Sequence, residues 1–477
     1  MPFNVNTMLI GAGDAGLELL KDILRHPEHP VKVVCIIDDD PAKQGKILCG
    51  VPVIGTREAI PAGVARYGVE NIILAMPSVD ARSKQEILGY CQRTRCTLKT
   101  LPPLSRFVVP DAQIDLVRSV DINDLLGREP STIDLSSISR HLEGKTVLVT
   151  GGGGSIGGEL CRQLAAYPLN ELLIFDIYEN NLYEVQQELR AHHPRLSMRP
   201  LIGSIRDKAR LESVFARHHP DIVFHAAAHK HVPLMEANPH EAIKNNVLGT
   251  LNLAEAAVNH GVDNFLLIST DKAVNPTNIM GATKRICERI VLMFNRRHAT
   301  RFAAVRFGNV LGSNGSVIPL FQKQIAEGGP VTVTHPEITR FFMTIPEAVS
   351  LVLAAESSAC GGEIFVLDMG EPVKIVDMAR QLIRLSGYEP DRDISIVFTG
   401  LRPGEKLYEE ILTNEEGLHK TGNDKILVVT PTDFDDAALE LRLQELAGLA
   451  ADESSDIHAA LSAILPTFHP WEGGRAH

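Results

Sequence analysis

Ser269-Thr270-Asp271-Lys272 sets two hydroxyls, a carboxyl and an amine on consecutive residues. The apolar run Asn264 to Ile268 before them predicts a strand, which puts the group at a strand's C-terminal end. In open α/β sheets, ligands bind along that edge. Val274 to Thr277 reads as a loop around Pro276. Helix-favouring residues begin at Met280, and Met280 and Lys284 then share one helix face. A polar cluster facing a lysine one turn along a helix suits proton and hydride chemistry. The plainer reading is a capped helix start carrying surface charge.

At 477 residues the chain is too long for one core, and two or three domains are expected. Its net charge is −12, with no basic run or aromatic-interleaved Lys/Arg stripe. That argues against nucleic acid or an anionic membrane as the main partner. The seven cysteines are scattered and form no CxxC pair, so a reduced, cytoplasmic compartment and no structural zinc are expected. No apolar run approaches the ~20 residues that span a bilayer, and no signal sequence is expected.

The predicted fold class is α/β, with two Rossmann-like doubly wound parallel sheets, the second carrying a smaller substrate-binding lobe. Residues 1–130 form the first expected domain. There Gly11-Ala12-Gly13-Asp14-Ala15-Gly16 follows a strand and opens an amphipathic helix, and a second strand ends at Asp38-Asp39-Asp40. The pattern fits a nucleotide-binding turn, and the same turn serves structurally in many domains. Arg118 to Asp134, with Gly127 and Pro130, reads as a connector.

Residues 131–425 form the expected catalytic domain, with a dinucleotide core over roughly 140–310 and a substrate lobe over 311–425. Thr150-Gly151-Gly152-Gly153-Gly154-Ser155-Ile156-Gly157 follows a strand and opens a helix. That makes Gly151, Gly154, Ser155, Ile156 and Gly157 a phosphate-binding turn. Asp176 ends the next strand, where a carboxylate bonds ribose hydroxyls and favours NAD over NADP. Asp207 is expected to reach an adenine, and Ala226 and Ala227 to let backbone pass close to the cofactor. Lys230 is expected near bound phosphates, and Asn245 to hold backbone near the cofactor. His229 and His231 have no nearby Cys or Asp partner, and no metal is expected there. The tail, 426–477, shows helical leucine spacing at Leu439, Leu443 and Leu446 and reads as packing.

Thr150 to Gly157, Ala227 to Glu236, Ser269 to Lys284, His335 to Met343 and Leu401-Arg402-Pro403-Gly404-Glu405-Lys406-Leu407 together carry a resemblance. The chain resembles the extended short-chain dehydrogenase/reductases, and within them the CapD-like nucleotide-sugar 4,6-dehydratases of polysaccharide biosynthesis. It is most similar to the long forms acting on UDP-N-acetylglucosamine. Most of the superfamily has YxxxK, but the tyrosine position here is Met280. A thioether neither gives nor takes a proton at neutral pH. The long forms share the replacement, and the resemblance assigns their chemistry to Thr270, Asp271 and Lys272. Such forms usually begin with membrane-spanning helices, which this sequence lacks.

The resemblance implies an NAD-dependent lyase acting on a UDP-sugar, and a homodimer. It places substrate contacts at Lys230, Arg306, Asn309, Arg340, Arg402 and Glu405, with arginine forks suited to a diphosphate and a carboxylate to ribose hydroxyls. Lys272 is then the C5 base and Asp271 the acid for the C6 hydroxyl. Lys284 holds the nicotinamide ribose, and Thr270 bonds O4. Lys272 must be neutral and Asp271 protonated, so the two should titrate as a pair. By resemblance, Met280 leans towards retention at C5. The alternatives are a UDP-sugar 4-epimerase, which needs no C5 base, and a catalytically silent nucleotide-binding sensor.

Overall fold

A computed structural model describes residues 5–26, 29–77, 79–91, 93–94, 96–101, 118–119, 134–410, 417–431 and 433–470. The connector expected around Gly127 and Pro130 lies outside them. The chain divides into two compact units. The first comprises residues 1–130, 321–332 and 377–397, and the second comprises the remainder.

The first unit is built on a seven-stranded sheet: β1 (Val5–Ile10), β2 (Val31–Ile37), β3 (Ile47–Leu48), β4 (Val51–Gly55), β5 (Asn71–Leu74), β6 (Thr97–Thr100) and β7 (Arg118–Ser119). Their order is β3-β4-β2-β1-β5-β6-β7, parallel from β4 to β6 with an antiparallel strand at each edge. The turn after β1 needs its glycines. Gly11 sits at φ +103°, and a Cβ on Gly16 would lie 2.0 Å from the Gly11 carbonyl oxygen. Asp38, just past β2, accepts from Ala12 N at 2.6 Å and from Lys43 Nζ at 3.2 Å.

The second unit is built on β8 (Thr146–Thr150), β9 (Glu171–Asp176), β10 (Met198–Ile202), β11 (Ile222–His225), β12 (Asn264–Ile268), β13 (Arg301–Arg306), β14 (Ile364–Leu367), β15 (Gly417–Lys420) and β16 (Ile426–Thr430). The order is β10-β9-β8-β11-β12-β13-β14-β16-β15, parallel up to β14 and antiparallel beyond. Near-continuous apolar strands such as Val147-Leu148-Val149 and Phe265-Leu266-Leu267 are buried on both faces, as a covered parallel sheet requires. The strand order reverses between β8 and β11, which opens a crevice at their C-terminal ends. Leu439, Leu443 and Leu446 from the tail join the core on one face of this sheet. Among the described residues, no helix is long and apolar enough to cross a membrane.

One expected substrate residue belongs to this core instead. Arg306, at the end of β13, is 0% exposed. Its Nε and Nη2 bond Glu288 Oε1 and Oε2 at 2.7 and 2.8 Å. Ser269 Oγ and Arg285 Nη1 complete the carboxylate's shell at 2.7 and 3.1 Å. The guanidinium is therefore turned inward, clamping β13 to the helix Ile279–Arg297. Burial pushes the Glu288 carboxyl up, the Arg306 guanidinium pulls it down, and the net direction is down. With a folded value below the unfolded one, the stabilisation is present at neutral pH and fades as pH falls through the folded value.

Two substitutions test this packing by urea unfolding. Leu443→Ala is expected to cost about 2–5 kcal/mol; a change no larger than that of a surface site would contradict its core placement. Arg306→Ala should cost about 3–5 kcal/mol at pH 7 by stranding the buried Glu288 charge. That penalty should shrink as acid protonates Glu288. An equal penalty at both pH values would show that lost packing, and not charge, sets the cost.

Candidate active site

The cleft begins with the turn after β8. Gly151 sits at φ +70°, and a Cβ there would lie 2.7 Å from Ala227 N and 2.8 Å from Ala226 C. Gly157 is needed because its Cβ would meet the Gly151 carbonyl oxygen at 2.0 Å. The turn thus passes against the end of β11, and the helix Ser155–Leu164 packs onto the turn. Gly154 is that helix's N-cap, so Ser155, Ile156 and Gly157 fill its first turn with amides free of intrahelical partners. Asp176 Oδ2 accepts from Gly153 N at 2.8 Å and Oδ1 from Tyr178 N at 2.9 Å. This fixes a carboxylate beside the glycine turn. The arrangement fits a dinucleotide: a glycine-lined approach to a helix N-terminus, with an acid for a ribose.

Two residues expected at the cofactor have contacts within the protein. Asp207 caps the helix Lys208–His218, accepting from Arg210 N at 2.9 Å. The amide that holds backbone at the cleft is Asn246, one residue beyond Asn245. Asn246 Oδ1 accepts from His229 N at 2.8 Å, and its Nδ2 donates to His229 O and Thr283 Oγ1, both at 3.0 Å. Asn245 only donates to the Asn246 side chain. The stretch Ile243–Leu248 is a π-helical turn, whose wider winding decides which asparagine faces inward.

A polar chain beneath the cleft was not evident from sequence. His225 is buried at the end of β11, with Nδ1 2.8 Å from Thr150 Oγ1 and Nε2 2.9 Å from Thr250 Oγ1. Thr250 Oγ1 donates to Asn246 O at 2.6 Å. Its one proton thus committed, Thr250 accepts from His225 Nε2–H, and Nδ1 accepts from Thr150. Burial, aided by the Lys284 charge, pushes His225 well below its ordinary value, so it is neutral.

Thr270 caps the single turn Asp271–Ala273 after β12. Thr270 Oγ1 donates to Asp271 Oδ1 at 2.8 Å, and Lys272 Nζ donates to the same oxygen at 3.0 Å. Lys272 Nζ also reaches Asn309 Oδ1 at 3.3 Å and Glu409 Oε1 at 3.5 Å. Asp271 is 1% exposed, and its buried Oδ2 has no hydrogen-bond partner among the described residues. Burial pushes the Lys272 ammonium down, Asp271 and Glu409 pull it up, and the net direction is up. The resting geometry is that of an ion pair, in which Asp271 first and Glu409 second keep the Lys272 ammonium charged, where a neutral amine was expected.

Asn278 starts the next helix, accepting from Gly281 N at 2.7 Å. A Cβ on Gly281 would lie 2.1 Å from the Lys272 carbonyl oxygen, so the helix start abuts the Asp271–Ala273 turn. Met280 and Lys284 lie on it, each 5% exposed. Burial pushes Lys284 down.

The Arg402–Lys406 turn is stitched to the same place. Gly404 O accepts from Thr277 Oγ1 at 3.2 Å and Asn278 Nδ2 at 3.1 Å, and Lys406 Nζ donates to Val274 O at 3.2 Å. Arg340 holds this turn from beneath, donating to Thr339 O, Leu407 O and Lys406 O at 2.7, 3.2 and 2.8 Å. Its fork also meets Glu405 Oε1 and Glu409 Oε1, each at 3.5 Å, so within the protein its donors face backbone and carboxylates. Arg402 stands clear, with its side chain 57% exposed, and pairs with Glu405 at 3.0 Å. Lys230 is exposed, with Nζ 3.4 Å from Ser313 Oγ. Among the described residues, no cluster of His, Cys, Asp or Glu suits a metal ion.

The family of polysaccharide biosynthesis proteins matches residues 147–431, and a CoA-binding domain family matches 4–102. The probable polysaccharide biosynthesis protein EpsC of Bacillus subtilis is 44% identical over 98% of this chain and 78% of its own length. The capsular polysaccharide biosynthesis protein CapD of Staphylococcus aureus is 49% identical over 86% of this chain and 69% of its own. A UDP-N-acetylglucosamine 4,6-dehydratase (inverting) of Campylobacter jejuni is 38% identical over 57% of this chain and 78% of its own. Proteins named UDP-glucose 4-epimerase match the same share of this chain at 37% identity. Among solved structures, Pen from Bacillus thuringiensis superposes with a TM-score of 0.56 at 35% identity, covering 62% of this chain and 90% of that one. The glycine turn, the Asp271–Lys272 pair and the Arg402–Lys406 turn all lie within the matched stretch, and the chain belongs to the CapD-like polysaccharide biosynthesis proteins of the short-chain dehydrogenase/reductase superfamily.

Proposed function

We propose that the chain catalyses the NAD-dependent 4,6-dehydration of a UDP-N-acetylhexosamine, with UDP-N-acetylglucosamine as the first substrate to test. The observation that carries this is the Asp271–Lys272 hydrogen bond of 3.0 Å at the end of β12. The Campylobacter relative's name supports the choice of sugar. Gly151, Gly154, Ser155, Ile156, Gly157 and Asp176 would hold NAD, which when bound supplies a hydride acceptor for C4 and a donor for C6.

Lys272 and Asp271 supply the proton chemistry. Passing one proton along their hydrogen bond turns the resting ion pair into a free amine and a carboxylic acid. With a ketone at C4, the C5 proton is acidic. Lys272 takes it, the C5–H electrons form the C5–C6 double bond, and the C6–O bond breaks. Asp271 gives its proton to the departing hydroxyl, which leaves as water. The ion pair is then restored, and the Lys272 ammonium can return a proton to C5. The O4 proton, lost as the ketone forms, replaces the one that left with the water. Thr270 can bond O4, and the buried Lys284 can hold a nicotinamide ribose. Arg402 and Lys230 offer cations to a diphosphate, and Glu405 offers a carboxylate to a ribose.

Met280 supports this scheme, because the usual tyrosine is absent and the acid–base pair lies elsewhere. An epimerase has no use for a C5 base, and a silent sensor none for a buried carboxylate bonded to an amine.

Incubation with UDP-N-acetylglucosamine in D₂O, followed by NMR and mass spectrometry, is expected to show loss of one water with deuterium at C5. The C5 configuration then decides retention or inversion. Retained water with inversion at C4 would establish the epimerase. Lys272→Ala should lose elimination by at least about 10²-fold while still binding the UDP-sugar. Unchanged turnover in that variant would remove Lys272 from the chemistry.

A further inference from the structure

Glu409 takes no part in the scheme above, yet it touches the pair that does the proton work. Its side chain is 4% exposed. Its Oε1 lies 3.5 Å from Lys272 Nζ and 3.5 Å from Arg340 Nε. A carboxylate so far from water needs cations beside it. Arg340 is fixed by three backbone carbonyls, so it can hold Glu409 in place. Lys272 is thereby approached from several elements. Asp271 faces it from the strand end, Asn309 from the segment after β13, and Glu409 from the loop after the Arg402–Lys406 turn. The Arg340 charge opposes the two carboxylates.

We propose that Glu409 is a positioning residue acting through Lys272: anchored by Arg340, it shares the Lys272 ammonium with Asp271 and governs when that proton passes to Asp271. The transfer breaks an N–H bond, forms an O–H bond on Asp271 and leaves both groups neutral. A carboxylate beside Nζ favours the ammonium side of that balance. Glu409 therefore keeps Lys272 charged in the free enzyme. The catalytic meaning of this rests on the dehydratase reading; the electrostatic claim stands by itself.

The test follows Lys272 acetylation by acetic anhydride against pH, read by peptide mass spectrometry, in the wild-type protein, Glu409→Gln and Glu409→Asp. Glu409→Gln keeps the shape and removes the charge. It is expected to lower the Lys272 midpoint by about one pH unit, or roughly tenfold more free amine at a given pH. Glu409→Asp should stay near the wild type, and Lys284 in the same digest should not move. On the dehydratase reading, the falling limb of elimination against pH, where the pair loses its proton to solvent, should shift to lower pH by the same amount in Glu409→Gln. An unmoved Lys272 midpoint in a Gln variant with wild-type near-UV dichroism overturns the proposal and leaves Glu409 as a structural partner of Arg340. Acetylation needs no turnover. A wild-type protein that binds the UDP-sugar without eliminating water would overturn the dehydratase alone.

Discussion

The start of the long helix at Asn278 is the joint on which the site depends. One side chain caps Gly281 N and grips Gly404 O, and the next residue's amide, Ile279 N, donates to Glu236 at 2.6 Å. Three segments distant in sequence are therefore held at one point. The absent Cβ of Gly281 lets the helix rest on the Lys272 carbonyl, so the helix carrying Met280 and Lys284 is placed by the same turn that presents Asp271 and Lys272. The Asn278–Gly404 bond brings in the loop that ends at Glu409. Moving this cap would displace Lys272, Asp271 and Glu409 together.

Much of this was legible in the chain. Strand, glycine turn and helix follow in fixed order, and a turn that passes beneath another strand end excludes side chains, as Gly151 and Gly157 show. Asp271 and Lys272 were legible because they directly follow an apolar strand. What could not be read was the partner of each long side chain. Arg306 and Arg402 look alike in sequence, yet one is bonded to Glu288 in the core and the other stands in solvent. The partner is set by contacts across the fold, which local pattern does not encode. Asn245 and Asn246 differ by one position, and a π-helical turn decided between them. Glu409 and Glu410 are adjacent, and only the loop's path turns the first side chain inward and leaves the second exposed. Asp207 follows a commoner rule: a carboxylate before a helix caps it.

The two units use an acidic residue in the same way. In each, a carboxylate just at or past the second strand accepts from an amide of the glycine turn, Asp38 from Ala12 and Asp176 from Gly153. Each also accepts from the amide two residues on, Asp40 in one and Tyr178 in the other. The difference is Lys43, which neutralises Asp38. Asp176 has no ion-pair partner among the described residues, which leaves its charge for hydroxyl donors.

On the proposed mechanism, the Asp271–Lys272 bond limits how much the surrounding protein must respond during turnover. Its two states differ only in where one proton lies along 3.0 Å. The pair carries no net charge in either. A group that gains or loses charge obliges the dipoles around it to reorient, and that reorganisation adds to the barrier of a reaction in a dry pocket. Here the Arg340 fork, held by three backbone carbonyls, keeps its place beside Glu409 in both states. A rigid, densely hydrogen-bonded cleft is then compatible with repeated proton traffic, because the charge that travels is cancelled at its source.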